Sequence, residues 1–290
     1  MYDLKPDCYH RVEQALAGVP FNRLFAEAVT GGYVAGRVFV DKLDEPSAFY
    51  ICHPYGMSLL VGSPGAPRFN EDLREFMLNA GRHRSKREYL LVHPDDWCTE
   101  IAESLGPRLA EIDFSSEDVA ACIERHEDDV VLNRRINFVF DRQRYRDFQR
   151  LNHDELARLH QNISPLGEDE FSSFDGHVVP KYFWNNYEDF KKYSKGFCLK
   201  VDEKTVSAAF CSFYSTAYLE LGMETAENYR GRGFSAATCS ALIDYALERK
   251  LTPAWACILS NRSSCALARK LGFEETLSLP CYMLPFTAGL

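Results

Sequence analysis

The residues of this chain best suited to chemistry form a glycine-rich turn between a strand-like run and a long helical run. The turn reads Asn-Tyr-Arg-Gly-Arg-Gly-Phe-Ser over residues 228–235. A glycine turn that opens a helix gathers unpaired N–H groups at the positive end of the helix dipole, which suits a phosphate or pyrophosphate. Arg230 and Arg232 add positive charge, and the glycines allow close backbone approach. The turn therefore predicts a binding site for a cofactor that contains a nucleotide.

A nucleotide-hydrolysing P-loop is the competing interpretation of a glycine-rich turn. That motif needs Gly-Lys-Ser or Gly-Lys-Thr and magnesium ligands downstream, because the lysine and the metal neutralise the phosphates. The turn contains no lysine, and no candidate magnesium ligands follow it. The P-loop interpretation is disfavoured.

The composition is that of a globular protein with enough apolar material for one large or two modest domains. Of 290 residues, 46% are hydrophobic and 26% are charged, and the formal net charge of -9 disfavours general nucleic-acid binding. No signal-peptide pattern opens the chain and no apolar run has transmembrane length, so we expect a cytoplasmic protein without a membrane partner. The ten cysteines lack zinc spacing, which predicts reduced, mostly buried thiols and no metal site.

The order of predicted elements indicates an α/β fold in two halves, residues 1–127 and 128–290. For the first half we predict helices near 8–16, 21–28, 70–80, 96–105 and 116–127, and strands at 36–40, 48–52, 57–61, 88–92 and 109–112. For the second half we predict helices at 144–159, 179–192, 234–250 and 263–271, and strands at 136–140, 196–201, 206–213, 218–225, 254–259 and 278–285.

The two halves share an order of elements, which suggests a tandem duplication; the alternative is coincidence between two α/β segments. Where the second half has Arg-Gly-Arg-Gly, the first has Ala-Pro-Arg-Phe at 66–69. Pro67 removes one donor N–H, and without glycines the backbone cannot approach a phosphate closely. We therefore expect the first half to be a degenerate copy without the cofactor turn.

The second half resembles the GNAT superfamily of N-acetyltransferases. The superfamily motif Gln/Arg-x-x-Gly-x-Gly/Ala matches residues 228–233 at both glycines and departs at Asn228. Downstream, Asn261 precedes a helix that ends in Leu-Gly-Phe at 271–273, also as in the superfamily. The Trp-Ala-Cys run at 255–257 is similar to that of two-domain acetyltransferases typified by zwittermicin-A resistance proteins. The resemblance implies a mostly antiparallel central sheet flanked by helices.

The resemblance also implies acetyl-CoA as the cofactor. The backbone of Leu221 and Met223 would pair with the pantetheine arm, and the N–H groups of residues 230–235 would bind the pyrophosphate. Asn261 would hydrogen-bond the cofactor, although an asparagine before a helix also serves as an ordinary N-cap. The implied cofactor-binding residues are Leu221, Met223, Thr225, Asn228, Arg230, Gly231, Arg232, Gly233, Phe234, Ser235 and Asn261.

The catalytic groups of the superfamily are replaced here. A proton-donating tyrosine in many members corresponds to Ala268, and a common carboxylate base corresponds to Ala217. Glu220 and Glu224 alternate onto one face of a strand, so either is a candidate base or amine anchor, or else a surface carboxylate. Cys265 is a possible proton donor or a buried core thiol. A thiol of pKa about 8.5 can also leave as thiolate without an acid.

The acceptor is expected to be a small-molecule primary amine, as the resemblance implies. The stretch holding His177, Tyr182, Trp184 and Tyr187 lies where the superfamily shapes its acceptor pocket, although these residues are equally compatible with core packing or a surface loop. Because Ala217 and Ala268 replace catalytic groups, the alternative function is a non-catalytic acyl-CoA-binding sensor or interaction protein.

Overall fold

The computed structural model describes residues 1–114 and 118–287, and these form two compact units. The first unit comprises the described residues of 1–136 together with 258–260 and 278–287. The second unit comprises residues 137–257 and 261–277. Three strands, at residues 130–140, 252–258 and 273–284, therefore contribute residues to both units. The predicted domain boundary after residue 127 lies just before the first of them.

The predicted elements occur in the predicted order, and short elements at residues 2–4, 163–165 and 168–173 were not predicted. The strands up to the first shared one are β1 (Tyr2–Leu4), β2 (Arg37–Val40), β3 (Ala48–His53), β4 (Met57–Gly62), β5 (Glu88–His93), β6 (Leu109–Glu111) and β7 (Val130–Phe140). The helices in this part are α1 (Glu13–Ala17), α2 (Leu24–Thr30), α3 (Pro67–Met77), α4 (Asp96–Leu105) and α5 (Val119–Glu124). Two residues of the helix predicted at 116–127, Ser116 and Glu117, lie outside the described residues.

The rest of the chain alternates similarly. Its helices are α6 (Arg142–Leu151), α7 (His153–His160), α8 (Glu168–Ser173), α9 (Tyr187–Tyr193), α10 (Phe234–Glu248) and α11 (Arg262–Lys270). Its strands are β8 (Ile163–Pro165), β9 (Gly196–Val201), β10 (Lys204–Tyr214), β11 (Tyr218–Thr225), β12 (Thr252–Ile258) and β13 (Phe273–Leu284). Within the described residues, no helix is long and apolar enough to cross a membrane.

Each unit repeats one strand pattern. In the first unit the order is β1-β2-β3-β4-β5-β13, with antiparallel pairs except for the parallel pair β4 and β5. In the second unit the order is β12-β11-β10-β9-β8, again antiparallel except for the parallel pair β11 and β12. The α/β class and the mostly antiparallel sheet are confirmed. The shared arrangement of three antiparallel strands, a helix and a parallel strand supports the duplication hypothesis.

Helix packing in each unit follows from the spacing of apolar residues. In α3 and α4 large apolar residues recur every fourth position, so each helix buries one stripe against β3, β4 and β5. These residues are Phe69, Leu73 and Met77 in α3 and Trp97, Ile101 and Leu105 in α4. In the second unit α10 is apolar nearly all round and packs against β9, β10 and β11. Helix α10 is therefore held firmly over the strand that precedes the glycine turn.

Two predicted helices are wrong in extent. The helix predicted at 144–159 breaks at Asn152, whose side-chain amide donates to the Phe148 carbonyl at 2.8 Å and competes with the helical backbone. The helix predicted at 179–192 is a short 3-10 helix, Pro180–Tyr182, followed by α9. Asn186 caps α9 by accepting from the Asp189 N–H at 2.8 Å. Both differences come from asparagines acting on the local backbone.

Candidate active site

The strand before the glycine turn separates from its parallel neighbour halfway along. Strands β11 and β12 pair at Tyr218–Glu220 and Thr252–Ala254, and among the described residues this ladder goes no further. Both strands continue, β11 to Thr225 and β12 to Ile258. Past Glu220, the β12-facing edge of β11 therefore has no strand partner there. Leu221 and Met223, two of the predicted cofactor-binding residues, lie in this splayed part.

The corresponding strands of the first unit stay paired over all but one residue of each strand. Strands β4 and β5 pair from Met57 with Tyr89 to Val61 with His93. The next carbonyl, that of Gly62, accepts from the buried Trp97 indole N–H at 2.8 Å. The first residue of the following helix is Pro67, which has no N–H to offer. The first unit thus lacks the gap between splayed parallel strands and lacks one backbone N–H donor at the helix start, as expected of a degenerate copy.

The glycine turn presents its backbone to open space. Gly231 and Gly233 have φ of 77° and 78°, values that favour glycine, and a Cβ at Gly231 would meet nothing within 4 Å. Helix α10 begins at Phe234, and Gly233 at its cap has no side chain to satisfy the first N–H groups. The next N–H inside the helix, that of Ala237, bonds Gly233 O at 3.0 Å. This cradle fits a pyrophosphate.

A largely buried chain of hydroxyl groups fixes the start of α10 against the sheet. Thr225 Oγ1 lies 2.8 Å from Ser207 Oγ and 2.9 Å from Ser235 Oγ, and Ser207 Oγ lies 3.3 Å from Thr238 Oγ1. The side chain of Thr225 therefore joins strand to helix. The side chains of Thr225 and Ser235 are thus engaged with each other, and their roles toward a cofactor stay predictions.

The two turn arginines differ in their surroundings. Arg230 Nε donates to the Thr225 carbonyl at 3.2 Å, and Nη2 lies 3.5 Å from Glu224 Oε1. The guanidinium of Arg232 lies 5.2 Å from the centre of the Tyr229 ring. Arg232 and the neighbouring Asn228 are exposed. The geometry thus holds Arg230 on the strand side of the turn and leaves Arg232 and Asn228 facing solvent.

A carboxylate that the sequence analysis missed lies at the start of α10. A Cβ at Gly233 would lie 2.6 Å from Glu155 Oε1, and Glu155 is an exposed residue of α7. A negative charge there is favourable to the helix dipole. It would also repel an incoming phosphate. No local signal reveals it, because α7 and α10 are distant in sequence.

Asn261 acts as the N-cap of α11. Its Oδ1 accepts from the Ser264 N–H at 3.1 Å and from the Ser263 hydroxyl at 2.9 Å. Asn261 therefore serves as the N-cap that the sequence also allowed. A hydrogen bond from its side-chain NH2 to a cofactor stays a prediction.

Glu220 lies where the two parallel strands part. It is 6% exposed and is the last β11 residue paired with β12. Opposite it, β10 carries an irregularity between Cys211 and Phe213, and the Ser212 hydroxyl donates to the Glu220 carbonyl at 3.1 Å. Burial, with a smaller contribution from the Glu220 charge, raises the pKa of the Cys211 thiol to about 12. Bulges of this kind often lie beside active sites, where they redirect a strand.

Glu224 lies on the same strand face as Glu220, but the Phe210 ring intervenes. Phe210 pairs with Gly222, and its ring would lie 2.7 Å from a Cβ there. Glu224 Oε2 accepts from the N–H groups of His177 and Val178 at 2.9 and 3.1 Å. The two predicted catalytic carboxylates are therefore separate, and Glu224 is occupied by backbone donors.

The positions of the missing family groups are apolar or exposed. Ala268 is fully buried in α11, and Ala217 is exposed before β11. Cys265 Sγ lies 3.4 Å from Cys257 Sγ on β12, and both are buried. Burial, then the neighbouring Cys257, raises the pKa of Cys265 to about 12. Cys265 is therefore a weak acid and a poor replacement for the tyrosine.

The predicted acceptor region divides between core and surface. Trp184 is buried, and its indole N–H donates to the Cys211 carbonyl at 2.9 Å. Tyr187 meets the Phe171 ring edge-on at 5.8 Å. Tyr182 is 42% exposed and His177 is also exposed. Only the last two side chains are well placed to meet a ligand from solvent.

Comparison with known proteins gives a consistent family. The family model described as GNAT acetyltransferase matches residues 15–282. An uncharacterized N-acetyltransferase, YdfB, from Bacillus subtilis (strain 168) is 24% identical over 262 residues, which is 89% of each chain.

Two solved structures share the fold. A GCN5-related N-acetyltransferase-like protein from Streptococcus suis 89/1591 is 19% identical with a TM-score of 0.67, over 95% of this chain and 98% of that one. A tandem GNAT protein from the clavulanic acid biosynthesis pathway is 13% identical with a TM-score of 0.53, over 97% of both chains. With the splayed strands and the glycine turn, these matches show that the chain belongs to the GNAT acetyltransferase family.

Proposed function

We propose that the second unit transfers an acetyl group from acetyl-CoA to a primary amine of a small molecule. The observation that carries this proposal is the adjacency of two features on β11. In the part of the chain that the structure describes, its splayed edge leaves backbone groups without a strand partner, and the uncapped glycine turn follows within a few residues. An extended arm ending in a pyrophosphate fits that arrangement, because the arm can pair like a strand while N–H groups bind the phosphates.

The chain's own groups supply binding and orientation. The backbone of Leu221 and Met223 would hold the pantetheine arm, and the N–H groups of residues 230–235 would hold the pyrophosphate. When bound, acetyl-CoA supplies a reactive thioester carbonyl. An N–H of the splayed strand would polarise that carbonyl, and such donors commonly contribute several kcal/mol to acyl transfer.

Glu220 is our candidate for the base. An amine must lose a proton to attack, and the carboxylate at the point of splaying can take it directly or through one water. Ala268 offers no proton to the leaving thiol, so the thiol would leave as thiolate, as its free pKa of about 8.5 permits. The acidic net charge favours a cationic amine as acceptor.

The alternative is a protein that binds acyl-CoA without turnover, which Ala217 and Ala268 motivate. Calorimetric titration with acetyl-CoA, CoA and ATP tests the shared premise, and we expect saturable binding of the first two only. Amine-dependent release of free thiol, measured over a panel of small primary amines, separates the two functions. Binding of acetyl-CoA without release by any amine would favour the sensor, and absence of binding would contradict both.

A further inference from the structure

The Glu224 carboxylate holds a loop that is distant in sequence. Its Oε2 accepts from the N–H groups of His177 and Val178, and its Oε1 accepts from the Thr225 N–H at 3.2 Å. The side chain is only 13% exposed. A carboxylate with so little water needs these donors, because an uncompensated buried charge is costly.

The loop is shaped to lie on this carboxylate. A Cβ at Gly176, where φ is 156°, would lie 2.5 Å from Glu224 Cγ. Only glycine allows the backbone to come so close. On its outer side the loop is tied by Lys181, whose ammonium lies 3.0 Å from Asp175 Oδ1 and donates to the Ser172 carbonyl at 3.2 Å.

A cation of the glycine turn, Arg230, lies beside this carboxylate. Its Nη2 lies 3.5 Å from Glu224 Oε1, and its side chain is 60% exposed against 13% for the carboxylate. The arginine lies largely in water and can turn toward a ligand if its bond to the Thr225 carbonyl breaks, whereas the carboxylate is held by three N–H groups. A phosphate at the turn and Glu224 would compete for the same guanidinium.

We propose that Glu224 is a positioning residue that couples the loop at residues 176–178 to the cofactor turn through Arg230. The proposal rests on the proposed function in one respect, that a phosphate of the cofactor binds at the turn. When Arg230 turns to that phosphate, Glu224 loses its counter-charge. Covering an uncompensated carboxylate with the loop then becomes less favourable, so the loop opens more often.

The coupling has a consequence for the base assignment. A group that accepts three backbone N–H bonds has few lone pairs left for an amine proton. Glu224 therefore acts on the loop beside the site, and Glu220 remains the candidate that would touch the amine.

Amide hydrogen exchange of the full chain tests the coupling directly, with CoA as the probe. We expect exchange at the His177 and Val178 amides to rise roughly fivefold or more on CoA binding, the lower end of typical coupling between sites. Arg230→Gln should raise it similarly without CoA. Arg232→Gln is the matched control, because it removes the same charge from the same turn without touching Glu224, and it should leave exchange unchanged.

Glu224→Gln separates coupling from a merely structural bond. In this variant amide exchange at His177 and Val178 should be fast with or without CoA. CoA should also bind more tightly, because Arg230 no longer pairs with a carboxylate and the coupling is reciprocal. CoA binding by calorimetry is followed in the same samples. Failure of the wild type to bind CoA would contradict the proposed function, while Arg230→Gln still tests the loop. Binding without any change in loop exchange, or Arg230→Gln matching Arg232→Gln, would overturn the coupling.

Discussion

At the scale of single residues, the glycine turn depends on a backbone conformation that side chains disfavour. Gly231 has φ of 77° and faces open space, so no neighbouring atom of the protein would clash with a side chain there. The requirement for glycine comes from conformation and from the ligand that would approach.

Gly231→Val should weaken acetyl-CoA binding at least tenfold, which corresponds to about 1.4 kcal/mol. The branched side chain would occupy the approach to the N–H groups and strain the left-handed conformation. Gly32→Val is the matched control, because Gly32 has φ of 73° and equally open surroundings far from the turn in sequence. Calorimetry on both variants decides the matter. Equal loss of affinity in both would attribute the effect to backbone strain alone.

Glu220→Gln should lower kcat roughly 100-fold or more while leaving the Kd for acetyl-CoA unchanged. Removal of a general base typically costs between about 100-fold and 10,000-fold in rate, because the amide cannot take the amine proton. The measurement is thiol release with whichever amine supports turnover in the screen. An unchanged kcat would exclude Glu220 as the base.

The glycine turn was predictable from sequence because its chemistry is local. Glycines, arginines and a helix start lie within eight residues, and each acts on its own backbone. The surroundings of Glu224 and the position of Glu155 were not predictable in the same way. Both depend on contacts between residues distant in sequence, such as Glu224 with His177. For the same reason, the hydrogen bonds that the Glu224 carboxylate accepts from the loop were not predicted.

At the scale of elements, one parallel strand pair is open and the other is closed. Within residues 1–114 and 118–287, the open pair, β11 and β12, leaves an edge without a strand partner beside the turn, whereas β4 and β5 pair along nearly their whole length. Element order could be predicted from apolar periodicity, and most strands were. The splaying could not, because it depends on how two strands diverge in space.

The carboxylate that α7 places beside the glycine turn should affect the affinity for acetyl-CoA. Glu155→Gln should tighten acetyl-CoA binding by roughly twofold to fivefold at low ionic strength, because it removes a negative charge beside the helix start. Glu248→Gln is the matched control, since Glu248 is exposed at the opposite end of α10. Titrations at low and high salt provide the measurement. An affinity that falls in Glu155→Gln would mean that this carboxylate organises the turn.

At the scale of the whole molecule, a buried histidine makes stability sensitive to acid. Burial, with a smaller effect of Lys86, lowers the pKa of His53 to about 3. The unfolded chain, with an ordinary pKa near 6.5, binds more protons than the folded chain between these values. Stability therefore falls as pH falls through this window.

His53→Asn should remove much of that sensitivity. Between pH 7 and pH 4.5 the wild type should lose about 2.5 kcal/mol more stability than the variant, from the linkage of the two pKa values. Asparagine can keep the bond that His53 Nδ1 accepts from the Tyr55 N–H at 3.1 Å, but it does not titrate. Urea unfolding at both pH values measures the difference. Parallel losses in both proteins would show that other groups dominate.

Because the first unit includes residues of β13, its folding cannot be completed until that strand has been synthesised. Tyr282, Met283 and Leu284 pair with β5 of that unit, yet they leave the ribosome after the whole second unit has been made. At ordinary elongation rates β5 waits roughly 10–40 s for its neighbour. During that time an apolar strand edge stands open to other nascent chains. The first unit is thus the last to finish folding, although it is the first to be translated.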